Sequence, residues 1–226
     1  MLVRIPEVLS KDQVAHFRQV LEAAPWVDGR VTAGEQSAKA KHNLQVPEDC
    51  EAARELGQVI LTALGRSEAF VSAVLPMRVF PPLFNRYEPG MEFKAHVDNA
   101  VRFAPGLVRM RTDVSSTLFL SEPDDYEGGE LVIEAAHGEQ RLKLEAGDLV
   151  AYPATSLHRV EPVTRGARWA SFFWTQSMVR DAGQRRELYD LDRAIQDIRA
   201  EMPDDHHAVV TVTGVYHNLL RRWGEM

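Results

Sequence analysis

The sequence predicts an α+β fold in which a mainly β core is flanked along the chain by helices. From about residue 77 to 178, short runs rich in β-branched and aromatic residues alternate with turn sequences such as EPG, DDYEGG, AGD and TRG. Roughly seven or eight short strands at this spacing favour a sandwich or a small barrel. The regular βαβ alternation of a parallel sheet is absent, which argues against a dinucleotide-binding fold.

Two helices are expected before this β-rich region. In the segment 10–24, Ser10 followed three residues later by Gln13 is a capping-box pattern, and an apolar stripe comes after it. A second apolar stripe predicts a helix over 48–64, with Gly65 as its end. We expect both helices to support the β core.

Helical periodicity returns in the C-terminal part of the chain. Two apolar stripes separated by MPDDHH predict two helices, which either pack on the core as a hairpin or provide the surface of a homodimer. Within the β region, ELVIEAAHGEQRLKLEAGD predicts a β-hairpin that turns at His137 and Gly138. We therefore divide the chain into an N-terminal support at 1–77, a core domain at 78–178 and a C-terminal helical extension at 179–226.

The composition is typical of a soluble globular protein. The 226 residues are 45% apolar and 26% charged, and the net charge of −7 offers no basic surface for nucleic acid. A single cysteine, Cys50, excludes an intrachain disulfide and a thiolate zinc site. The N-terminal sequence lacks the apolar stretch of a signal peptide, and no run is long enough to span a membrane. We expect a cytoplasmic protein.

A possible metal site begins with His96 and Asp98 in the sequence FKAHVDN. In an extended strand, residues i and i+2 point to the same face, so an imidazole and a carboxylate would converge. With a third ligand they would form the 2-His-1-carboxylate site of non-haem iron(II) oxygenases. His158, which opens a predicted strand after a loop, is the candidate. The spacing alone also fits a hydrogen-bonded strand histidine beside a solvated aspartate.

An arginine in a hydrophobic strand supports the metal site. Arg168 lies in ARWASFFW, where alternation places it on one face with Ala170, Phe172 and Trp174. A buried guanidinium needs an anion, and its planar fork suits the far carboxylate of a dicarboxylate. The alternative is that Arg168 lies on the exposed face of its strand.

The segment 99–113 leaves the predicted site directly after Asp98. It carries Arg102, Arg109 and Arg111 in a chain that is acidic overall. Long connections between strands are often functional. We expect a lid that attracts an anionic substrate, although three ordinary surface arginines would fit the sequence equally well.

Taken together, these segments resemble a known family. The sequences NRYEPGMEFKAHVDN, TLFLSEPDDYEGGEL and AGDLVAYPATSLHRVEPVTRGARWASFFW are similar to the prolyl-hydroxylase-like branch of the iron(II)- and 2-oxoglutarate-dependent oxygenases. More narrowly, the whole chain resembles the bacterial PKHD-type hydroxylases, a group linked to iron uptake. The resemblance implies a double-stranded β-helix, which is a jelly-roll or cupin-like fold.

The resemblance also implies roles for individual residues. It makes iron(II) the metal, 2-oxoglutarate the co-substrate and L-ascorbate a further cofactor that re-reduces iron. Arg168 would bind 2-oxoglutarate, and Tyr87 would donate a hydrogen bond to it. The catalytic residues and iron ligands would be His96, Asp98 and His158.

Two positions refine this expectation. Related halogenases have a small residue where this chain has Asp98, so hydroxylation is favoured. Some relatives have a second tyrosine where this chain has Phe119, which cannot donate a hydrogen bond, and Thr117 becomes the candidate neighbour of Arg168.

The function implied is hydroxylation of an unidentified substrate by 2-oxoglutarate and O2, with succinate and CO2 as co-products. The substrate would be an amino-acid side chain or a small molecule related to iron uptake. A non-catalytic cupin-like module that senses iron or 2-oxoglutarate is the alternative. An interaction protein built on the helices of 179–226 is a third possibility.

Overall fold

The computed structural model describes residues 1–32, 40–135 and 138–225. Five helices are described: α1 (Lys11–Glu22), α2 (Glu51–Arg66), α3 (Glu68–Val74), α4 (Ala182–Glu201) and α5 (His207–Trp223). Short 3-10 helices cover Gly29–Thr32 and Pro123–Asp125. The described strands are β1 (Val3–Ile5), β2 (Val27–Asp28), β3 (Lys41–His42), β4 (Leu44–Gln45), β5 (Pro76–Val79), β6 (Leu83–Tyr87), β7 (Glu92–His96), β8 (Val101–Ala104), β9 (Val108–Arg111), β10 (Val114–Phe119), β11 (Tyr126–Gly128), β12 (Leu131–Ala135), β13 (Gly138–Leu142), β14 (Leu149–Pro153), β15 (His158–Val160), β16 (Val163–Gly166) and β17 (Arg168–Ser177).

Two antiparallel sheets form the β core. The major sheet has the order β1-β14-β10-β17-β6-β4-β2, with β5 also paired to β17. The minor sheet has the order β13-β12-β15-β7-β3. Two small ribbons, β8-β9 and β11-β16, complete the described strands. The predicted α+β class with a mainly β core is therefore present, with no parallel pairing among these strands.

Helices cover the outer face of the major sheet, because each has an apolar stripe that must be buried. Side chains of α1, α2 and α3 pack against Phe84 and Phe173 of that sheet in one large cluster. A second cluster, with Phe119 and Ile133 among its members, lies between the two sheets. The centre of the major sheet is therefore buried on both faces, and all six residues of β10 are buried.

The capping box predicted for the first helix is confirmed. The Ser10 Oγ accepts a hydrogen bond from the backbone N–H of Gln13 at 3.2 Å, and the Gln13 Oε1 accepts one from the N–H of Ser10 at 2.9 Å. The prediction that Gly65 ends the second helix is wrong, because α2 continues to Arg66. Ser67 then ends α2 and caps α3 by accepting a hydrogen bond from the N–H of Phe70 at 3.2 Å.

The hairpin predicted in ELVIEAAHGEQRLKLEAGD is formed by β12 and β13, with Ala135 paired to Gly138. Its turn, which we expected at His137 and Gly138, falls partly outside the described residues. The C-terminal helices α4 and α5 are also present and pack together. They bury Leu188, Tyr216 and other apolar side chains against Leu75 and Val179 of the chain's own body.

The C-terminal helical extension is thus a hairpin on the core, while dimerisation through it and the three-part domain division stay predictions. No helix within the described ranges has the length and hydropathy needed to cross a membrane.

A glycine in the turn before β14 allows the N-terminal segment to pack closely. Gly147 has φ +102°, and a Cβ built there would lie 2.3 Å from the carbonyl oxygen of Leu9. Gly90 has a similar φ of +85°, but a Cβ there would meet no atom within 4 Å. An alanine at Gly90 would therefore suffer only the strain of a left-handed backbone, whereas an alanine at Gly147 would also clash with Leu9.

We expect Gly147→Ala to lower the free energy of unfolding by roughly 2–5 kcal/mol, because left-handed strain and overpacking add together. Gly90→Ala should cost only the strain, about 1–2 kcal/mol. Urea unfolding of both variants measures the difference. Equal losses would contradict the close packing of Gly147 against Leu9.

Candidate metal centre and its cavity

A cavity lies between the two sheets and is lined by side chains of both. The major sheet contributes residues of β6, β10, β14 and β17, and the minor sheet contributes residues of β3, β7, β12 and β15. The polar or charged residues that line it are Lys41, Asn85, Tyr87, His96, Asp98, Ser115, Ser116, Thr117, Tyr152, His158 and Arg168.

The three predicted metal ligands converge in this cavity. His96 ends β7, and His158 opens β15 directly opposite it in the ladder. Asp98 Oδ1 lies 3.9 Å from His96 Nε2, and its Oδ2 lies 3.8 Å from His158 Nε2. Ligand atoms of all three residues lie within 4.8 Å of one another.

Asp98 lies just beyond the strand in which the sequence places it. β7 ends at His96, so Asp98 is not part of the ladder. The predicted convergence is nevertheless present, because the carboxylate of Asp98 reaches both imidazoles.

Both histidine rings are oriented by backbone carbonyls. His96 Nδ1 lies 2.8 Å from the carbonyl oxygen of Lys94, and His158 Nδ1 lies 3.0 Å from that of Ser156. A carbonyl oxygen only accepts hydrogen bonds, so each Nδ1 is the protonated donor. Each ring is thereby held with its Nε2 towards Asp98, which is the orientation that hydrogen-bond acceptors behind metal-binding histidines impose.

Neighbouring side chains hold the triad further. Ser115, on β10 of the opposite sheet, donates its hydroxyl hydrogen bond to Asp98 Oδ2 at 2.5 Å. The Phe93 ring stacks on His96 at a centroid distance of 3.6 Å. Burial, followed by the charge of His158, holds the pKa of His96 below its ordinary value, which favours the neutral, ligating form.

Arg168 lies at another part of the cavity wall, and its predicted inward orientation is confirmed, because it is 1% exposed. The guanidinium lies 5.4 Å from the Tyr87 ring centroid and 5.3 Å from that of Phe119. Tyr126 is also beside it. Within the part of the chain that the structure describes, the Arg168 Nε and the Tyr126 hydroxyl have no hydrogen-bond partner.

Two tyrosines of the cavity remain protonated donors at neutral pH. Burial raises the pKa of Tyr87 to about 12, although the charge of Arg168 acts in the opposite direction. Burial and the charge of Asp98 raise the pKa of Tyr152 further. Thr117 lines the same wall near Tyr152, and its predicted role beside Arg168 stays a prediction.

Several cavity residues were missed by the sequence analysis. Asn85 precedes Tyr87 by two positions and Ser115 precedes Thr117 by two, so strand alternation alone indicates that each pair shares a face. Lys41 gives no comparable signal, because β3 is only two residues long and joins the minor sheet through a long-range pairing.

The segment 99–113 forms the β8-β9 ribbon rather than an irregular loop. Its three arginines have different surroundings. Arg111 bonds to Asp113 at 2.7 Å and to Glu225 at 3.0 Å, away from the cavity. Arg102 stacks on Trp174, which lines the cavity. Of the three arginines, Arg102 is therefore the one that remains a candidate for attracting an anionic substrate. The lid stays a prediction.

Comparisons with known proteins agree with this geometry. Residues 82–176 match the family model of the 2OG-Fe(II) oxygenase superfamily, and residues 182–225 match that of the PKHD-type hydroxylase C-terminal domain. The chain is 60% identical to a PKHD-type hydroxylase of Methylobacterium nodulans and 62% identical to one of Gluconobacter oxydans, over the full length of each.

The chain belongs to the PKHD-type hydroxylase family. It is therefore an iron(II)- and 2-oxoglutarate-dependent hydroxylase, as the resemblance implied, and this membership favours catalysis over a sensing module.

Solved structures support the fold. A prolyl-4-hydroxylase of Pseudomonas putida aligns with a TM-score of 0.51 at 22% identity, covering 78% of this chain and 92% of that one. A prolyl hydroxylase of Trichoplax adhaerens aligns with a TM-score of 0.57 at 16% identity, covering 77% and 82%. The predicted double-stranded β-helix is confirmed.

The hydrogen bond from Ser115 predicts its effect on metal binding in this PKHD-type hydroxylase. We expect Ser115→Ala to weaken binding of Mn(II), a redox-stable substitute for iron(II), by about 10- to 100-fold, because loss of a hydrogen bond that orients a metal ligand has an effect of this size elsewhere. Ser171→Ala is the matched control, since its buried hydroxyl has no partner among the described residues and lies outside the cavity. Calorimetric titration measures both, and equal affinities would contradict the role of Ser115.

Proposed function

We propose that the protein hydroxylates an unactivated C–H bond of its substrate at a centre where His96, Asp98 and His158 hold iron(II). Arg168 binds the 5-carboxylate of 2-oxoglutarate, and succinate and CO2 are the co-products. The observation that carries this proposal is the presence, in one cavity, of three converging ligand atoms and a buried arginine with a free Nε.

The donor set fits iron(II). Two imidazole nitrogens and one carboxylate form the facial arrangement that non-haem iron(II) oxygenases use, and it leaves the remaining coordination positions for co-substrate and oxygen. The backbone acceptors at both Nδ1 atoms keep the Nε2 lone pairs available. The carboxylate of Asp98 favours hydroxylation over halogenation, because it fills the position that halide takes in related halogenases.

The other wall fits a dicarboxylate. A fully buried guanidinium is costly unless an anion compensates it, and Arg168 forms no ion pair within the described ranges. Its free Nε and the hydroxyl of Tyr87, which lines the same cavity, offer two donors to a carboxylate. The planar fork of the guanidinium gives this contact its geometric selectivity.

The protein's part in the reaction is binding and orientation. When bound, iron(II) and 2-oxoglutarate supply the oxidising chemistry. Phe93 and Tyr152 hold the two histidine rings from the sides and keep water away from them. Ser115 holds Asp98 so that the carboxylate does not swing out of the site. L-ascorbate would restore iron(II) after turnovers without substrate, and an amino-acid side chain or a small molecule of iron uptake would be the substrate.

Two substitutions test the roles of the ligands. We expect His158→Ala to abolish succinate formation from 2-oxoglutarate, because an iron ligand is lost. We expect Arg168→Gln to raise the KM for 2-oxoglutarate by at least about 30-fold, since losing one partner of a buried charge pair costs roughly 2–5 kcal/mol. Succinate assays with iron(II) in air measure both.

The matched controls are His217→Ala on the exposed face of α5 and Arg165→Gln, whose side chain pairs with Glu127 at the surface. Both should retain turnover. Normal succinate formation by His158→Ala would rule out the proposed metal site.

The Tyr87 hydroxyl has a separate test. We expect Tyr87→Phe to weaken 2-oxoglutarate binding by about 10- to 100-fold, because a hydrogen bond to a charged group is lost. The visible charge-transfer band of the anaerobic iron(II) protein, titrated with 2-oxoglutarate, gives the affinity. Tyr189→Phe on α4 is the control. An unchanged affinity in Tyr87→Phe would remove this tyrosine from the co-substrate site.

A further inference from the structure

The β8-β9 ribbon begins just after Asp98 and packs its inner face on the cavity wall. Arg102 on β8 is paired with Met110 on β9, and both belong to this inner face. Met110 is 2% exposed and clusters with Phe80 and Trp174. The ribbon therefore holds Arg102 in a defined place beside the cavity.

Arg102 lies against a pair of aromatic rings that pack edge to face with each other. Its guanidinium carbon lies 4.2 Å from the Trp174 ring centroid and 4.9 Å from that of Phe80. Such cation–π contacts hold the guanidinium in place without using its N–H groups, which stay available for hydrogen bonds. The Nε of Arg102 is buried and has no hydrogen-bond partner among the described residues.

The charge of Arg102 is only weakly compensated. The Glu48 Oε1 lies 3.8 Å from its Nη2, and the Glu48 side chain is 44% exposed. Partly exposed pairs at such a distance contribute little. The carboxylate of Asp98 is the other acidic group that acts on Arg102, and it faces the two histidines. A largely buried guanidinium in this setting is suited to bind a further anion.

A second cation lies near Arg102, because the two side chains rest on neighbouring rings, Phe172 and Trp174, whose centroids are 5.6 Å apart. Lys41 lines the cavity, donates a hydrogen bond from Nζ to Gln45 Oε1 at 2.8 Å and lies over the Phe93 and Phe172 rings. Burial lowers its pKa to about 8, and the charge of Arg102 adds to this effect, so the two cations are close enough to interact.

We propose that Arg102, assisted by Lys41, binds a carboxylate group of the substrate, while Phe172 and Trp174 hold the organic part next to it. This inference rests on the proposed hydroxylation at the His96, Asp98 and His158 centre. It assigns the two cations near Asp98 to the substrate and leaves Arg168 for the co-substrate. The substrate class is thereby narrowed to carboxylate-bearing compounds.

The other arginines of the ribbon do not share this role. Arg109 is paired with Phe103 on the outer face and is exposed. Arg111 is engaged by Asp113 and Glu225. Arg109 therefore serves as the matched control for Arg102, since it has the same charge on the same ribbon.

The test uses phenylacetate and its neutral amide, phenylacetamide, as probes on the full chain loaded with Zn(II) and 2-oxoglutarate. Loading occupies Arg168, so the probes report on the remaining cavity. Proton NMR titration gives the affinity of each probe, and the indole N–H resonance of Trp174, assigned with Trp174→Phe, locates it. We expect the wild type to bind the acid about tenfold more tightly than the amide.

We expect Arg102→Gln to remove this preference, Arg102→Lys to keep part of it and Arg109→Gln to keep it fully. If Arg102→Gln does not fold, two other measurements test the inference. Lys41→Gln should reduce the preference for the acid over the amide, and phenylacetate should shift the indole N–H resonance of Trp174 in the wild type. Equal affinity for the two probes, no binding of either, or an undiminished preference in Arg102→Gln overturns the inference. Failure of the wild type to bind Zn(II) and 2-oxoglutarate would instead count against the proposed function.

Discussion

The pairing of β7 with β15 is the constraint on which the site depends. It places His96 directly opposite His158 in an antiparallel ladder. The same backbone turns the carbonyl groups of Lys94 and Ser156 towards the Nδ1 atoms of the two rings. Strand pairing thus decides both the separation of the imidazoles and which nitrogen of each faces the cavity.

The major sheet contributes the other residues of the site. Ser115 reaches Asp98 from β10, and β17 brings Arg168 to the same cavity while its neighbour β6 brings Tyr87 opposite Arg168. The major sheet carries polar groups inward at these positions because helices cover its other face with an apolar core. Because the helices bury apolar side chains on the outer face of the major sheet, its inner face can carry the polar side chains that line the cavity.

Much of this arrangement follows from local sequence patterns. Strand spacing predicts the β core, the Ser10–Gln13 capping box predicts the start of α1, and alternation in β17 predicts that Arg168 points inward. The end of α2 was mispredicted at Gly65, because a glycine without positive φ does not stop a helix whose apolar stripe is buried. Contacts such as Ser115 with Asp98, or Lys41 with the cavity, depend on pairings between distant segments, and no local pattern indicates them.

The origin of the cavity in two sheets has a consequence for folding. Its walls do not exist until both sheets have formed and closed on each other, and non-local pairing of this kind is slow. Any ion or acid that binds there recognises only the completed chain, so its binding free energy adds to the stability of the native state. In a cell with little iron, newly made chains would lack this contribution, and their lifetime would depend on metal supply as well as on sequence.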